Sequence, residues 1–355
     1  MKRNFKKCIA LALTAVMACA SLSACGEYTV QTEQEIRNVI LIIGDGMGEN
    51  HVENAVTYFE LEQPSFFDGR TGNLATKSAD NEVTDSAAAA TALATGHKVN
   101  NGEVARHDGK DLTSISQLAM QAGKRVGVVT TDTLDGATPA AFSSHANDRG
   151  DSLDILRGQA SSNIHLLMGE SSTLYTTNFP LFEENGYTTL SSQTWLESSL
   201  QSEKLLVTLP NIRSQYAPMC EDHFQLKDMA AFAVQYLDNE NGYFLMIESA
   251  YIDKYSHKKV FDNAMCEVRS LFDTIEYLRG VVGDDTAIII TADHETGKLE
   301  KGATMYEMND DLYGSSSHTN RDVPLFVHNF NLQIKNHTTP QNTVVFDICK
   351  TLLKL

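Results

Sequence analysis

Residues 38–48 read NVILIIGDGMG, and the first six of them, Asn38 to Ile43, carry no charge and are rich in β-branched side chains. An unbroken apolar run of that length suits a strand buried on both faces, as inside a parallel sheet. It ends at Gly44-Asp45-Gly46-Met47-Gly48, where glycines allow a sharp turn. Runs of the same kind recur at 125–130 (RVGVVT), 243–247 (YFLMI), 286–291 (TAIIIT) and 323–327 (VPLFV). Helical patterns over 86–94, 113–122, 226–237 and 263–278 lie between them. Alternation of this type predicts an α/β fold with a mainly parallel central sheet. The loop after the first strand is no dinucleotide motif. Its third glycine position holds Glu49, and an acid within it repels a pyrophosphate. Glycines flanking Asp45 suit a different purpose, which is to aim a carboxylate at a cation.

Working outward, the 355 residues have a hydrophobic share of 42% and a charged share of 21%, ordinary for a globular protein. The start of the chain is unlike the rest. MKRNFKK is basic, residues 8–20 are apolar, and LSAC follows at 22–25. This is the layout of a secretory leader, too short for a comfortable membrane span. LSAC resembles the bacterial lipobox, so residues 1–24 are expected to be a lipoprotein signal peptide and Cys25 the lipidated residue. That implies a secreted, extracytoplasmic protein held to the membrane by a lipid anchor. Residues 25–37 are polar and read as a tether, and 38–355 as a single catalytic domain with no linker inside it. Loss of Lys2, Arg3, Lys6 and Lys7 with the leader takes the net charge from −18 to −22. So acidic a chain is not drawn to nucleic acid by its field. Cys220, Cys266 and Cys349 are widely spaced, with no CxxC, and suggest neither a disulfide framework nor a thiolate metal site. Residues 171–215 are weakly periodic and read as an inserted cap or surface excursion, and 296–321 as a long loop.

Ligands of open α/β sheets sit beyond the carboxyl ends of the strands. Asp45 follows the first strand. Glu248, Asp253 and His257 follow the third, and Asp293 and His294 the fourth. Thr138 and Arg149 come after the second, and His318 just before the fifth. Charges gathered at one sheet edge are costly unless paired or metal-bound. Asp253 and His257, four residues apart, share a helix face. The set is too large for one tetrahedral zinc. Imidazole–carboxylate mixtures suit zinc and all-oxygen sets suit magnesium, so two zinc ions and one magnesium distribute these groups well. Residues 84–96, TDSAAAATALATG, add a serine at the start of an alanine helix. Asp85 is there a natural N-cap, and Ser86 a candidate nucleophile in the positive end of the helix dipole. Metal coordination would activate that hydroxyl without a histidine base. The remaining histidines, 51, 97, 107, 145, 165, 223, 328 and 337, show no ligand spacing, although His145 lies within a site-bearing stretch.

Six pieces in order resemble the alkaline phosphatase family: GDGMG (44–48), TDSAAAATALATG (84–96), DGATPAAFSSHANDR (135–149), IESAYIDKYSH (247–257), TADH (291–294) and SSSHT (315–319). The resemblance implies a three-layer α/β sandwich with a mainly parallel sheet and hydrolysis of small phosphomonoesters by double in-line displacement. Ser86 would become phosphorylated. Asp253, His257 and His318 would hold the first zinc, and Asp45, Asp293 and His294 the second. Asp45, Thr138 and Glu248 would hold magnesium. Arg149 would grip the phosphate, and Lys254 would approach it through water. A homodimer is the expectation for assembly. One position departs from the pattern. The family's bacterial type has an aspartate two residues before the threonine matched by Thr138, and this chain has Gly136 there with Asp135 one step earlier. Asp135 either reaches the third metal's water shell by a local shift, or that contact is missing.

Two other readings compete. One is a phosphodiesterase or another superfamily member, such as a sulfatase or phosphomutase. Ser86-Ala87-Ala88 lacks the C/S-x-P-x-R context of sulfatases, and Arg149 leaves no role for a second ester arm. The other is a lipoprotein that captures phosphate or metal without turnover, which would not need a metal-activated serine.

Overall fold

The structure is a computed structural model that describes residues 19–21, 28–192, 201–213, 225–304, 309–335 and 339–355. Its centre is a nine-stranded sheet. In chain order the strands are β1 (Asn38–Gly44), β2 (Arg70–Leu74), β3 (Arg125–Thr133), β4 (Leu166–Glu170), β5 (Tyr187–Leu190), β6 (Lys204–Leu209), β7 (Tyr243–Ser249), β8 (Thr286–Thr291) and β9 (Val323–His328). Across the sheet they lie in the order β2-β9-β8-β1-β7-β3-β4-β6-β5. Only β9 runs against the rest, antiparallel to both β8 and β2. All seven residues of β1 are buried, because β7 and β8 flank it and helices cover both faces.

The main helices are α1 (Glu49–Tyr58), α2 (Ser86–Thr95), α3 (Ile115–Gln121), α4 (Ala137–Ser143), α5 (Ser152–Ser161), α6 (Leu226–Leu237), α7 (Tyr251–His257), α8 (Phe261–Val281) and α9 (Val344–Leu353), besides two short ones at Thr173–Thr177 and Phe179–Glu184. Those of the first covering layer, α2, α3, α4 and α9, touch one another, and so do α8 and its neighbours α1, α6 and α7 in the second. The result is the three-layer sandwich expected. Every residue of α2 is buried, and its alanines let it lie close to α4 and α9. A helix apolar on all sides belongs in an interior. One apolar core runs from Tyr28 to Leu353.

Parallel register brings the strand ends level. Ile43 stands opposite Glu248 on one side and Thr291 on the other, and Glu248 opposite Thr130. Asp45, Asp132, Asp253 and Asp293, at or just beyond the ends of β1, β3, β7 and β8, therefore gather along one edge of the sheet.

Two expectations are corrected. The stretch 25–37 is not a free tether throughout. Tyr28–Thr32 forms a strand between Asn331–Ile334 and Cys19–Ser21, with Tyr28 and Val30 buried. Half-buried Thr29 and exposed Gln31 alternate with these apolar ones, the period-two signature of a half-buried strand. Residues 171–215 are not a surface excursion either, since β5 and β6 within them complete the sheet. Cys25, Cys220, His223 and His337 lie outside the described residues. Cys266 and Cys349 are both buried.

Candidate active site

Ser86 is the first residue of α2 and is buried. Asp85 before it is extended and caps the helix, its Oδ1 accepting from the Ala88 N–H at 2.9 Å. Asp85 Oδ2 accepts from the Gly102 N–H at 3.0 Å and from Arg149 Nη1 at 3.4 Å. One carboxylate thus sets the helix start, a neighbouring loop and the guanidinium together.

Ser86 Oγ lies 3.1 Å from His294 Nε2. The same nitrogen lies 3.1 Å from Asp293 Oδ2 and 3.5 Å from Asp45 Oδ1. This is not a serine–histidine–aspartate triad, in which the carboxylate must take the proton of the other ring nitrogen. Here Nδ1 faces Thr296 Oγ1 at 3.2 Å. Serine, both carboxylates and imidazole instead converge on one point, as ligands of a common cation do.

The second cluster is built the same way. His257 Nε2 and His318 Nε2 face each other at 3.1 Å, with Asp253 Oδ1 at 3.3 and 3.5 Å from them. Their Nδ1 atoms lie 2.7 Å from the Ser316 carbonyl and 2.9 Å from the Thr84 carbonyl. A backbone acceptor at Nδ1 leaves the Nε2 lone pair free in the neutral ring, the usual preparation of a metal-binding histidine. The His294 and His318 rings stack with centroids 3.5 Å apart, so the two clusters adjoin.

Gly46 has φ +75°, and a Cβ on it would lie 2.9 Å from Asp253 Cα. Its N–H donates to Asp293 Oδ1 at 3.1 Å. The glycine after Asp45 therefore lets the two ligand loops approach. His51, fully buried on α1, lies with Nε2 3.0 Å from Ser256 Oγ and accepts at Nδ1 from the Gly48 N–H at 3.2 Å. Burial drives its pKa down to about 3, so it is a neutral strut behind α7.

Electrostatics mark the same place. Burial, then the charges of Asp293, Asp253 and Glu248, raise the Asp45 carboxyl well above its ordinary range. Burial, then Asp132, pushes Glu248 up to about 8. Burial acts to raise Asp253 too, but the hydrogen bonds of His257 and His318 outweigh it and hold Asp253 well below the usual range. Asp45 Oδ1, Asp293 Oδ2 and Thr138 Oγ1 are buried with no hydrogen-bond partner. Unpartnered buried carboxylate oxygens are expensive, and divalent cations resolve that cost. The donors fit. Each of the sets Asp253/His257/His318 and Asp45/Asp293/His294 offers ligand atoms within 4.8 Å of one another. A further trio, Glu103, His107 and Asp108, is partly exposed, and His107 there pairs with Glu103 at 2.8 Å.

The residues named from the sequence for both zinc sets thus come together, with Ser86 against one of them. Glu248 faces Thr130, which donates to its Oε2. Thr138 sits in the first turn of α4. Lys254 pairs with Asp132. Asp135 takes no part in these contacts, and its charge is felt by Tyr175. His145 Nε2 lies 3.0 Å from the Leu112 carbonyl, away from the ligands. Asp132, Thr130 and Thr296 were not singled out in the sequence. Asp132 had a signal, since it follows the RVGVVT run directly, as Asp45 follows NVILII.

Fold and site together define a protein of the three-layer α/β class with two histidine–carboxylate clusters that could hold divalent metals. The family model described as "Alkaline phosphatase" matches residues 36–167 and 185–344. The chain belongs to the alkaline phosphatase family. It is similar to alkaline phosphatase 4 of Bacillus subtilis (strain 168), 30% identical over 296 residues, covering 77% of this chain and 64% of that one. Alkaline phosphatase 3 of the same organism is 29% identical over 333 residues, covering 85% and 72%. The chain thus spans under two thirds of the length of the first of these relatives. Among solved structures, the alkaline phosphatase from the Antarctic bacterium TAB5 shares the fold with TM-score 0.78 at 23% identity, covering 90% and 99% of the two chains. That from Thermus thermophilus does so with TM-score 0.75 at 20% identity, covering 91% and 92%.

Proposed function

We propose that this chain hydrolyses phosphate monoesters through a covalent phosphoserine at Ser86. The observation that carries the reading is Ser86 Oγ at the start of α2, sharing His294 Nε2 with Asp293 and Asp45. Asp253, His257 and His318 would hold one zinc, Asp45, Asp293 and His294 a second, and Asp45, Thr138 and Glu248 a magnesium. Bound there, these ions supply Lewis acidity for phosphoryl oxygens and lower the pKa of a coordinated hydroxyl.

The chain's own residues do the rest. Ser86 Oγ attacks phosphorus, the ester oxygen leaves, and water then cleaves the phosphoserine to free phosphate. The α2 N-terminus favours the negative charge of the phosphoryl group. Arg149, oriented by Asp85, offers two parallel N–H donors to its non-bridging oxygens. Such a fork suits a terminal phosphate, and a second ester arm would displace it, which favours monoesters over diesters. Burial of Ser86 excludes bulk water until the phosphoryl group occupies the site.

The basic, apolar and LSAC parts of residues 1–25 support export and lipid anchoring at Cys25. Family kinship supports a homodimer.

The test is p-nitrophenyl phosphate hydrolysis at alkaline pH, beside bis-p-nitrophenyl phosphate, before and after chelation and re-addition of zinc and magnesium. Monoester turnover that disappears and returns with the metals is expected, together with a Ser86→Ala variant that binds zinc but does not turn over. Wild-type turnover by that variant would refute the covalent route. Faster diester turnover would refute the monoesterase reading.

A further inference from the structure

We propose that Asp132 supplies the third cation site with the carboxylate that Gly136 lacks. The observation is steric. A Cβ placed on Gly136 would meet Asp132 Oδ2 at 2.9 Å and the Thr133 carbonyl at 3.0 Å. Gly136 has φ −53° and ψ 148°, open to any residue, so its backbone does not call for glycine. What a side chain there would meet is the carboxylate of Asp132. An acid on the end of β3 fills the space in front of position 136.

The surroundings of Asp132 fit that role. Its Oδ1 accepts from the Thr133 N–H at 2.7 Å and pairs with Lys254, which anchors the group and leaves Oδ2 facing Gly136. Asp132 is also the charged group acting most strongly on Glu248. Glu248 Oε2 is taken by the Thr130 hydroxyl, and that same Thr130 Oγ1 accepts from the Asp132 N–H at 2.9 Å. One threonine therefore holds the Glu248 carboxylate and the Asp132 backbone together. Two residues beyond Gly136, Thr138 Oγ1 is buried with no partner, and Thr138 is 1% exposed. The charge of Glu248 in turn acts on Asp45. Asp132, Glu248, Thr138 and Asp45 would together offer an all-oxygen donor set, which suits magnesium over zinc. Asp135, the acid nearest in sequence, acts electrostatically on Tyr175 instead.

The assignment rests on the metal-dependent reading above, and its test reads cation binding itself. Zinc-saturated protein is titrated with magnesium, and bound magnesium is measured by equilibrium dialysis with atomic emission. Asp132→Asn, which keeps shape and removes charge, is expected to weaken magnesium binding about tenfold or more, the scale seen when a group orienting a metal site is lost. Asp135→Asn is expected to bind as wild type. The double variant Asp132→Ala/Gly136→Asp, which returns the acid to position 136 with room for it, is expected to recover most of the affinity. Zinc content and melting temperature without magnesium serve as folding checks, and the double variant decides if Asp132→Asn alone is misfolded. Wild-type magnesium affinity in Asp132→Asn, or loss confined to Asp135→Asn, would overturn the assignment alone. A wild-type protein that takes up zinc but no magnesium would overturn both the assignment and the third site.

Discussion

Gly46→Ala gives the sharpest check on how the site is assembled. Two costs are separable. The first is backbone strain, because φ +75° lies in the left-handed region, worth roughly 1–2 kcal/mol for an L side chain. The second is contact with Asp253 Cα and Cβ at 2.9 Å, backbone and stem that cannot swing aside. Overpacking of this sort costs about 1–3 kcal/mol. Together they amount to roughly 2–5 kcal/mol. A domain of about 300 residues unfolds with about 0.6 kcal/mol/K of entropy, so the melting temperature should fall roughly 3–8 °C. Gly109 supplies the control, for it has φ +74° with nothing within 4 Å of its would-be Cβ. Gly109→Ala should therefore lose only the strain, roughly 2–3 °C. The two variants would be compared by calorimetry with zinc present and by zinc content after dialysis. Gly46→Ala should also lose zinc, since relieving the contact moves Asp253 away from His257 and His318. Equal melting points for the two variants, with full zinc in both, would refute the claim that the Asp45 turn and helix α7 are in direct contact at Gly46.

Other consequences are as direct. Arg149→Lys keeps the charge but loses the fork, so kcat/KM for a monoester should fall about 10–100-fold with zinc content unchanged; an unaltered kcat/KM would remove Arg149 from phosphate binding. Chelation should lower the melting temperature, by about 4 kcal/mol of stabilisation for a metal held at a thousand times its Kd, and re-addition of zinc should restore it; a melting point blind to chelator would mean the two clusters hold no structural cation. His165, with Nδ1 accepting from the Val126 N–H, has its pKa pushed down to about 4 by burial and then by Arg125. The folded protein thus binds this proton less readily than the unfolded chain does. Its contribution to stability is full above about pH 6.5 and is lost as pH falls toward 4. His165→Gln should flatten denaturant midpoints over that window, and an unchanged slope between wild type and variant would contradict it.

Much of this protein was legible because its signals are local. Continuous apolar runs marked five strands of the sheet, since burial on both faces leaves no polar alternation to obscure them. The edge of the sheet was harder to see. In β5 (YTTL) the residues beyond Tyr187 are exposed or half-buried, so its pattern resembles a polar loop. Tyr28–Thr32 hid in the same way behind Thr29 and Gln31.

The residue types and spacings of the two histidine–carboxylate sets were determined by the sequence itself. So was Ser86 behind its Asp85 cap. In each case the group lies within a few residues of a strand end or helix start, where local geometry dictates direction. Only the tertiary structure decided which carboxylate meets the space at position 136. Asp135 is nearer in the chain, but the carboxylate that meets a Cβ at Gly136 is that of Asp132, held there by Lys254 from α7 and by the Thr133 N–H. Proximity along the chain sets where a side chain starts. The partners brought by other strands and helices set where its charge can come to rest.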